Sequence, residues 1–277
     1  RVLFRSLYHY DDQSTQRVFY NVFDVTGSLK MQNNAIGIIL GNGWYNQRDR
    51  TVEGHMWYDV PKMILQLEIE YEDGTKEMIV SDNSWKTTTG PLLHDAIFTG
   101  EIYDARKDLG HWNRESYDDN IWESALQVRP PTGTLMFQTI PFNKVMQIVD
   151  THFEQLNDSL YIFTLPETVS GWCTLNVEGN SGDMIRLRFI SEEGLDYGQT
   201  DTYILKGGDK EEWEPKFTWH TFRKVEVVSR NTKISESSLI VKSIFTDVKN
   251  TGSFECSNEL FNRICQAYNR RSEERRV

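Results

Sequence analysis

At 277 residues, with 38% hydrophobic and 12% aromatic content, the chain is long enough for two ordinary domains and apolar enough to fill their cores. Its formal charge of −11 creates an acidic surface that repels phosphate backbones and anionic headgroups, which argues against nucleic acid and membranes as partners. A neutral glycan meets no such objection, and no apolar run approaches the roughly 20 residues that cross a bilayer.

The two ends stand apart. Arg1–Ser6 is the literal translation of CGTGTGCTCTTCCGATCT, and Arg271–Val277 that of AGATCGGAAGAGCGTCGTGT plus one base. Both strings are ends of common short-read sequencing adapters. Residues 1–6 and 271–277 are therefore expected to be adapter read-through flanking a natural segment, Leu7–Arg270, from a metagenomic fragment, and they are set aside from fold reasoning. The end strings carry five arginines against two glutamates, so the remaining segment is more acidic than the whole.

In chain order, Ala35–Leu40 is apolar on both faces and predicts a strand in the middle of a sandwich. Gly41-Asn42-Gly43 ends it with a flexible turn that presents Trp44 and Tyr45. Met63–Tyr71 alternates, with Met63, Leu65, Leu67, Ile69 and Tyr71 on one side and Gln66, Glu68 and Glu70 on the other. Glu72-Asp73-Gly74 then predicts a tight hairpin returning through Glu77–Val80. Pro130-Pro131 and Gly133 mark a connection. Beyond it, Trp172–Val177 and Met184–Ile190 are joined by Gly179-Asn180-Ser181-Gly182, and Ile185, Leu187 and Phe189 oppose Arg186 and Arg188. Thr221–Val228 and Leu239–Ile244 continue the sheet. Ser257 is placed to cap a helix whose apolar residues Leu260, Phe261, Ile264, Ala267 and Tyr268 recur at helical spacing. The pattern predicts an all-β fold: two antiparallel, jelly-roll-like β-sandwich domains at 7–140 and 141–250, then a short linker helix within 251–270.

Candidate binding residues follow from side-chain chemistry. Aromatic faces stack on sugar rings, so Trp44 and Tyr45, with the Asn42 amide beside them, form a candidate glycan platform; the alternative is that Trp44 fills the core at the strand end. Asp104 and Arg106 have the charges either to brace their loop as an ion pair or to hold sugar hydroxyls. Glu192-Glu193 and Glu211-Glu212-Trp213-Glu214 are rich in carboxylates, but adjacent residues of a strand point to opposite faces, whereas an inverting glycosidase needs two acids roughly 6.5–9.5 Å apart across a cleft. They are read as solvated, with Trp213 and Phe217 packing, and no residue is assigned as catalytic. Cys173, Cys256 and Cys265 lack paired spacing and read as small buried apolar residues. His9, His55, His94, His111, His152 and His220 lack the spacing of a zinc site.

Taken together and in order, Tyr20–Thr26, Gly41-Asn42-Gly43-Trp44-Tyr45, Gly100-Glu101-Ile102-Tyr103-Asp104-Ala105-Arg106, Asp201–Gly207, Trp213-Glu214-Pro215-Lys216-Phe217, Gly252–Asn258 and Leu260–Arg263 resemble the N-terminal half of bacterial α-L-rhamnosidases of glycoside hydrolase family 78. The resemblance implies a first sandwich that begins with strands preceding Tyr8, a second, concanavalin-like sandwich, and a linker helix leading to an (α/α)6 barrel that carries the catalytic acids and is missing here. It implies as partners that barrel and a rhamnose-containing glycan, in a bacterial protein of the periplasm or exterior. Three readings stay open: a non-catalytic accessory fragment, a carbohydrate-binding module, or a purely structural sandwich pair in a rhamnosidase relative that cleaves another sugar. Some family members use calcium in a rhamnose-binding module, and Asp11, Asp12 and Asn42 are the nearest oxygen donors here. Residue-by-residue matching to such a site fails, so no cofactor is assigned.

Overall fold

The structure, a computed structural model, describes residues 17–43, 45–47, 56–57, 59–191, 194, 196–247 and 252–266. Trp44, Asp11, Asp12, Glu192 and Glu193 lie outside the described residues. Among the described residues the fold is all-β apart from short 3-10 turns and one α-helical run at 259–266.

The N-terminal segment contributes Arg17–Tyr20 (β1), Asn46–Gln47 (β2), Met56–Trp57 (β3), Gln66–Glu70 (β4), Lys76–Val80 (β5), Lys86–Thr87 (β6), Leu92–Ala96 (β7), Gly100–Asp104 (β8), Glu123–Ser124 (β9) and Thr134–Phe137 (β10). β2–β3, β4–β5 and β6–β9 pair antiparallel, and β1–β10 pair parallel. The expected hairpin is β4–β5: Gly74 takes φ +81°, and the Asp73 carboxylate accepts from both the backbone N–H and the hydroxyl of Thr75. Leu67 and Ile69 turn inward while Gln66, Glu68 and Glu70 stay exposed.

Ala35–Leu40 departs from its expectation. It forms no strand, and Ile36, Ile39 and Leu40 remain more than two-fifths exposed. An apolar run becomes a buried strand only where two neighbours offer ladders. Here the chain passes instead beneath Trp112, whose ring would lie 2.2 Å from a Cβ added at Gly37.

The C-terminal segment adds Asn143–Val149 (β11), His152–Gln155 (β12), Leu160–Val177 (β13), Met184–Ile190 (β14), Asp196–Ile204 (β15), Glu211–Trp213 (β16), His220–Ser229 (β17) and Leu239–Thr246 (β18). They build a ten-stranded sheet in the order β11-β18-β13-β17-β14-β15-β8-β7, with β12 and β16 attached to β13. The connection at Gly179–Gly182 leads from β13 to β14, but β17 lies between those two strands. β13 changes register between Thr164 and Val169, a bend that curls the sheet around its apolar face. That face carries Phe163, Cys173, Leu175, Ile185, Leu187, Phe189, Leu205, Phe222, Val225 and Val241, all essentially without solvent contact. The alternation predicted at Ile185, Leu187 and Phe189 is the inward half of β14.

Strands β7 and β8 come from the N-terminal segment yet belong to this sheet. β8 lies parallel to β15, with Ile102, Tyr103 and Asp104 opposite Thr202, Tyr203 and Ile204. Register therefore places Tyr103 beside Tyr203 on one face, their rings 6.0 Å apart, and Trp213 stacks on Tyr203 at 5.1 Å.

Of the three cysteines, Cys173 alone is in the core; Cys256 and Cys265 are half-buried. The helical run is capped by Asn258 rather than Ser257, since the Asn258 side chain accepts from Leu260 N–H. Leu260, Phe261 and Ile264 stay more than half exposed.

Candidate functional site

Four of the sequence strings meet at one place, where β7 and β8 join the large sheet. Gly100 opens β8 with φ +100°, and a Cβ there would lie 2.2 Å from the Thr200 carbonyl oxygen. Only glycine lets the two backbones approach this closely. The next residue, Glu101, has no solvent contact. Its Oε2 accepts from the backbone N–H groups of Lys216 at 2.7 Å and Phe217 at 3.1 Å. Across the junction Asp201, equally buried, uses Oδ1 to accept from Glu101 N–H, the Thr218 hydroxyl and His220 Nε2 at 2.9, 3.2 and 3.0 Å. The ring of Phe189 lies 4.1 Å from the His220 ring, so the hub continues directly into the apolar core.

The Gly41-Asn42-Gly43 turn is tied to the same junction. Asp95 of β7 is buried; it accepts from Asn42 N–H at 2.6 Å and from the Asn42 amide at 2.7 Å. Asn42 in turn accepts from the Asn46 amide. A Cβ at Gly41 would strike the Phe217 ring at 2.4 Å, so the turn rests on that ring. Asn42 therefore has its amide committed within the protein, while Tyr45 is half-buried on the same turn. Burial is the main force on two of these carboxyls. It pushes Asp95 up to about 6, against hydrogen bonds from Asn42 that pull it down. Glu101 is pushed up to about 8, with nearby Asp201 and Asp95 adding to the effect and the two backbone N–H groups opposing it.

Asp104 and Arg106 form a bidentate pair, Nε to Oδ1 and Nη2 to Oδ2, each at 2.8 Å. Asp104 also accepts from Arg106 N–H and so starts the short 3-10 turn Ala105–Lys107. The Arg106 hydrogen bond holds the Asp104 carboxyl below the usual carboxylate range.

The reading of Glu211–Glu214 as solvated needs correction at two positions. Glu211 accepts from the Tyr203 hydroxyl and from the backbone N–H groups of Lys206 and Gly207. Glu214 accepts from Trp172 Nε1 at 2.8 Å, from the Thr174 hydroxyl, and from Lys242 Nζ at 2.8 Å. Glu212 is the exposed member, and Trp213 packs as expected. Unpaired donors at the tight Lys206–Gly207 turn and on the sheet face recruit the two carboxylates, a demand invisible to strand parity.

The sequence alone offers no role for Asp95, places Glu101 and Asp201 only within motifs, and shows His220 only as one of six scattered histidines. One signal was present: Asp201, Tyr203 and Leu205 share strand parity, which puts an acid at a core position, and a buried acid requires built partners. Among the described residues, no group of three or more His, Cys, Asp or Glu has the arrangement to hold a metal ion. Nor is any described helix long and apolar enough to cross a membrane.

Comparison with known proteins adds the family context. Residues 9–147 match the family model of the alpha-L-rhamnosidase N-terminal domain, and residues 154–245 that of the bacterial alpha-L-rhamnosidase concanavalin-like domain. An alpha-L-rhamnosidase of Formosa agariphila is 33% identical over 92% of this chain and 29% of its own length, and one from Streptomyces avermitilis is 31% identical over 90% and 25%. Among solved structures, the alpha-L-rhamnosidase from Dictyoglumus thermophilum is similar over 75% of this chain and 25% of its own, with a TM-score of 0.69 and 37% identity. The Streptomyces avermitilis alpha-L-rhamnosidase complexed with L-rhamnose is similar over 94% and 26%, with a TM-score of 0.76 and 26% identity. The chain thus spans between a quarter and a third of the length of these relatives.

Proposed function

As the chain belongs to the bacterial α-L-rhamnosidase family, we propose that it is the non-catalytic accessory part of a glycoside hydrolase whose intact form removes terminal α-L-rhamnose from glycosides or polysaccharides. The observation that carries this reading is how its acids are used. Glu101, Asp201, Asp95, Asp104, Glu211 and Glu214 all accept hydrogen bonds from backbone or side-chain groups of the same fold. A general acid and base need free access to a sugar between them. These carboxyls instead brace the large sheet and tie the Gly41–Gly43 turn to it, and that framework in turn supports a catalytic domain. Incubating the chain with an aryl α-L-rhamnoside tests the assignment. Release of the aryl group at the buffer rate is expected, and faster release that a single carboxylate substitution abolishes would refute it.

A second reading has its own observation. The Gly41-Asn42-Gly43 turn is fixed by buried Asp95 and by Phe217, and a fixed turn leading to half-buried Tyr45 favours presentation of an aromatic face to a sugar. Under this reading the first sandwich binds L-rhamnose through Trp44 and Tyr45. Saturable quenching of tryptophan fluorescence by L-rhamnose, lost in a folded Trp44→Ala variant, supports it; no response at millimolar sugar removes it.

A further inference from the structure

The junction hub holds more negative charge than its partners can balance. Asp95 on β7, Glu101 on β8 and Asp201 on β15 bring three carboxyls together under cover, and among the described residues no lysine or arginine side chain pairs with any of them. Lys216 contributes its backbone N–H, and His220 on β17 is the one basic side chain in direct contact. Two further titratable groups line the hub: Tyr103 on β8 and Cys173 on β13, the latter buried near Asp201.

Hydrogen bonding is also incomplete in a particular way. Glu101 Oε2 and Asp201 Oδ1 are used, whereas Glu101 Oε1, Asp201 Oδ2 and His220 Nδ1 are buried with no partner among the described residues. The Glu101 N–H bond holds the Asp201 carboxyl against the backbone of β8, close enough for its charge to push the Glu101 carboxyl up. Two dry carboxylates side by side repel each other, and each orphaned oxygen forfeits its hydration. One proton on Glu101 lowers the charge by one and turns its orphaned acceptor into a donor, for which the orphaned Asp201 Oδ2 is the acceptor to be matched.

We propose that Glu101 is held as the neutral acid, its Oε1–H directed at the Asp201 carboxyl, and that this proton latches β8 to the large sheet and opens the junction when it is lost in alkali. Asp95 and the Gly41–Gly43 turn hang on β7, the antiparallel neighbour of β8, so the latch also holds the aromatic turn in place. The upward push on Glu101 from burial agrees with this assignment. A raised carboxyl favours the folded junction in acid and loses that advantage as pH climbs from the ordinary carboxylate range to its folded value. One proton taken up on closing makes the opening constant rise about tenfold per pH unit across that window. A cation bridging the two orphaned oxygens would neutralise them equally well, but no described cluster is arranged to hold one.

Two measurements on the full chain test the latch. Infrared spectra in deuterated buffer should show the carbonyl stretch of a protonated carboxyl at neutral pD, disappearing in alkali and absent from Glu101→Gln. Amide exchange at Glu101–Asp104, corrected for its intrinsic pH dependence, should lose protection about tenfold per pH unit in the wild type and stay flat in Glu101→Gln. Should Glu101→Gln not fold, the wild-type band and its alkaline titration, tracked by exchange at Glu101–Asp104, decide the matter alone. Absence of the band at neutral pD, exchange that is pH-independent in the wild type, or a junction opened by a chelator would each overturn the proposal.

Discussion

Replacing Gly100 with alanine puts a methyl group where β8 meets β15. The new Cβ would sit 2.2 Å from the Thr200 carbonyl oxygen, 2.6 Å from its carbon and 2.8 Å from Asp201 Oδ1. Two of those atoms are backbone, so no rotamer change relieves the contact; the strands must separate by about 1.2 Å or more to bring the 2.2 Å contact to an ordinary 3.4 Å. Such overpacking costs about 1–3 kcal/mol, and a side chain held at φ +100° adds about 1–2 kcal/mol. The sum is about 4 kcal/mol, which for a chain of this size lowers the thermal midpoint by roughly 10 °C. Differential scanning calorimetry reads the midpoint, and hydrogen exchange localises the loss to Gly100–Asp104 and its partner Thr202–Ile204. Gly90→Ala is the control, because its Cβ would meet only Leu109 Cδ1 at an ordinary 3.7 Å. Its midpoint should stay within about 1 °C of wild type. A Gly100→Ala midpoint that also stays there would refute the close parallel junction.

Other perturbations probe separate parts of the account. Leu187→Ala, at a position without solvent contact in the core of β14, should cost about 2–5 kcal/mol by chemical denaturation. Glu214→Ala leaves Trp172 Nε1 and Lys242 Nζ without their shared acceptor, and should cost about 1–3 kcal/mol with the change centred on β13 and β18. Because Arg106 lowers the Asp104 carboxyl, that pair stabilises the fold above the ordinary carboxylate range and stops doing so as pH falls through the lowered value. Asp104→Asn should flatten this acid-side loss in a pH series of melting curves. Substituting Leu260, Phe261 and Ile264 with serine should raise soluble yield while leaving the main melting transition unchanged, since these side chains are exposed; a lost transition would mean the helical run packs on the sheet.

Parts of this architecture were legible in the residues because they depend on neighbours close in sequence. Asp73-Gly74 specifies its hairpin through a glycine at positive φ and an Asx contact two residues on. The β14 alternation reports a face that really is buried. The junction was not legible, since it pairs residues a hundred positions apart and is built from acids that composition assigns to the surface. Nothing near Glu101 announces two backbone donors at Lys216 and Phe217. Asp104 and Arg106 read correctly as charges of opposite sign, and the structure supplies the bidentate geometry that makes them a brace. Ala35–Leu40 misled because hydrophobicity signals burial propensity without naming a partner.

The central claim is that this segment of an α-L-rhamnosidase family member braces and does not catalyse. Its most direct test is turnover of an aryl α-L-rhamnoside by the purified, folded 277-residue chain. The account predicts aryl release no faster than in buffer. Release above that rate, abolished when one carboxylate among residues 17–247 is replaced by its amide, would contradict it.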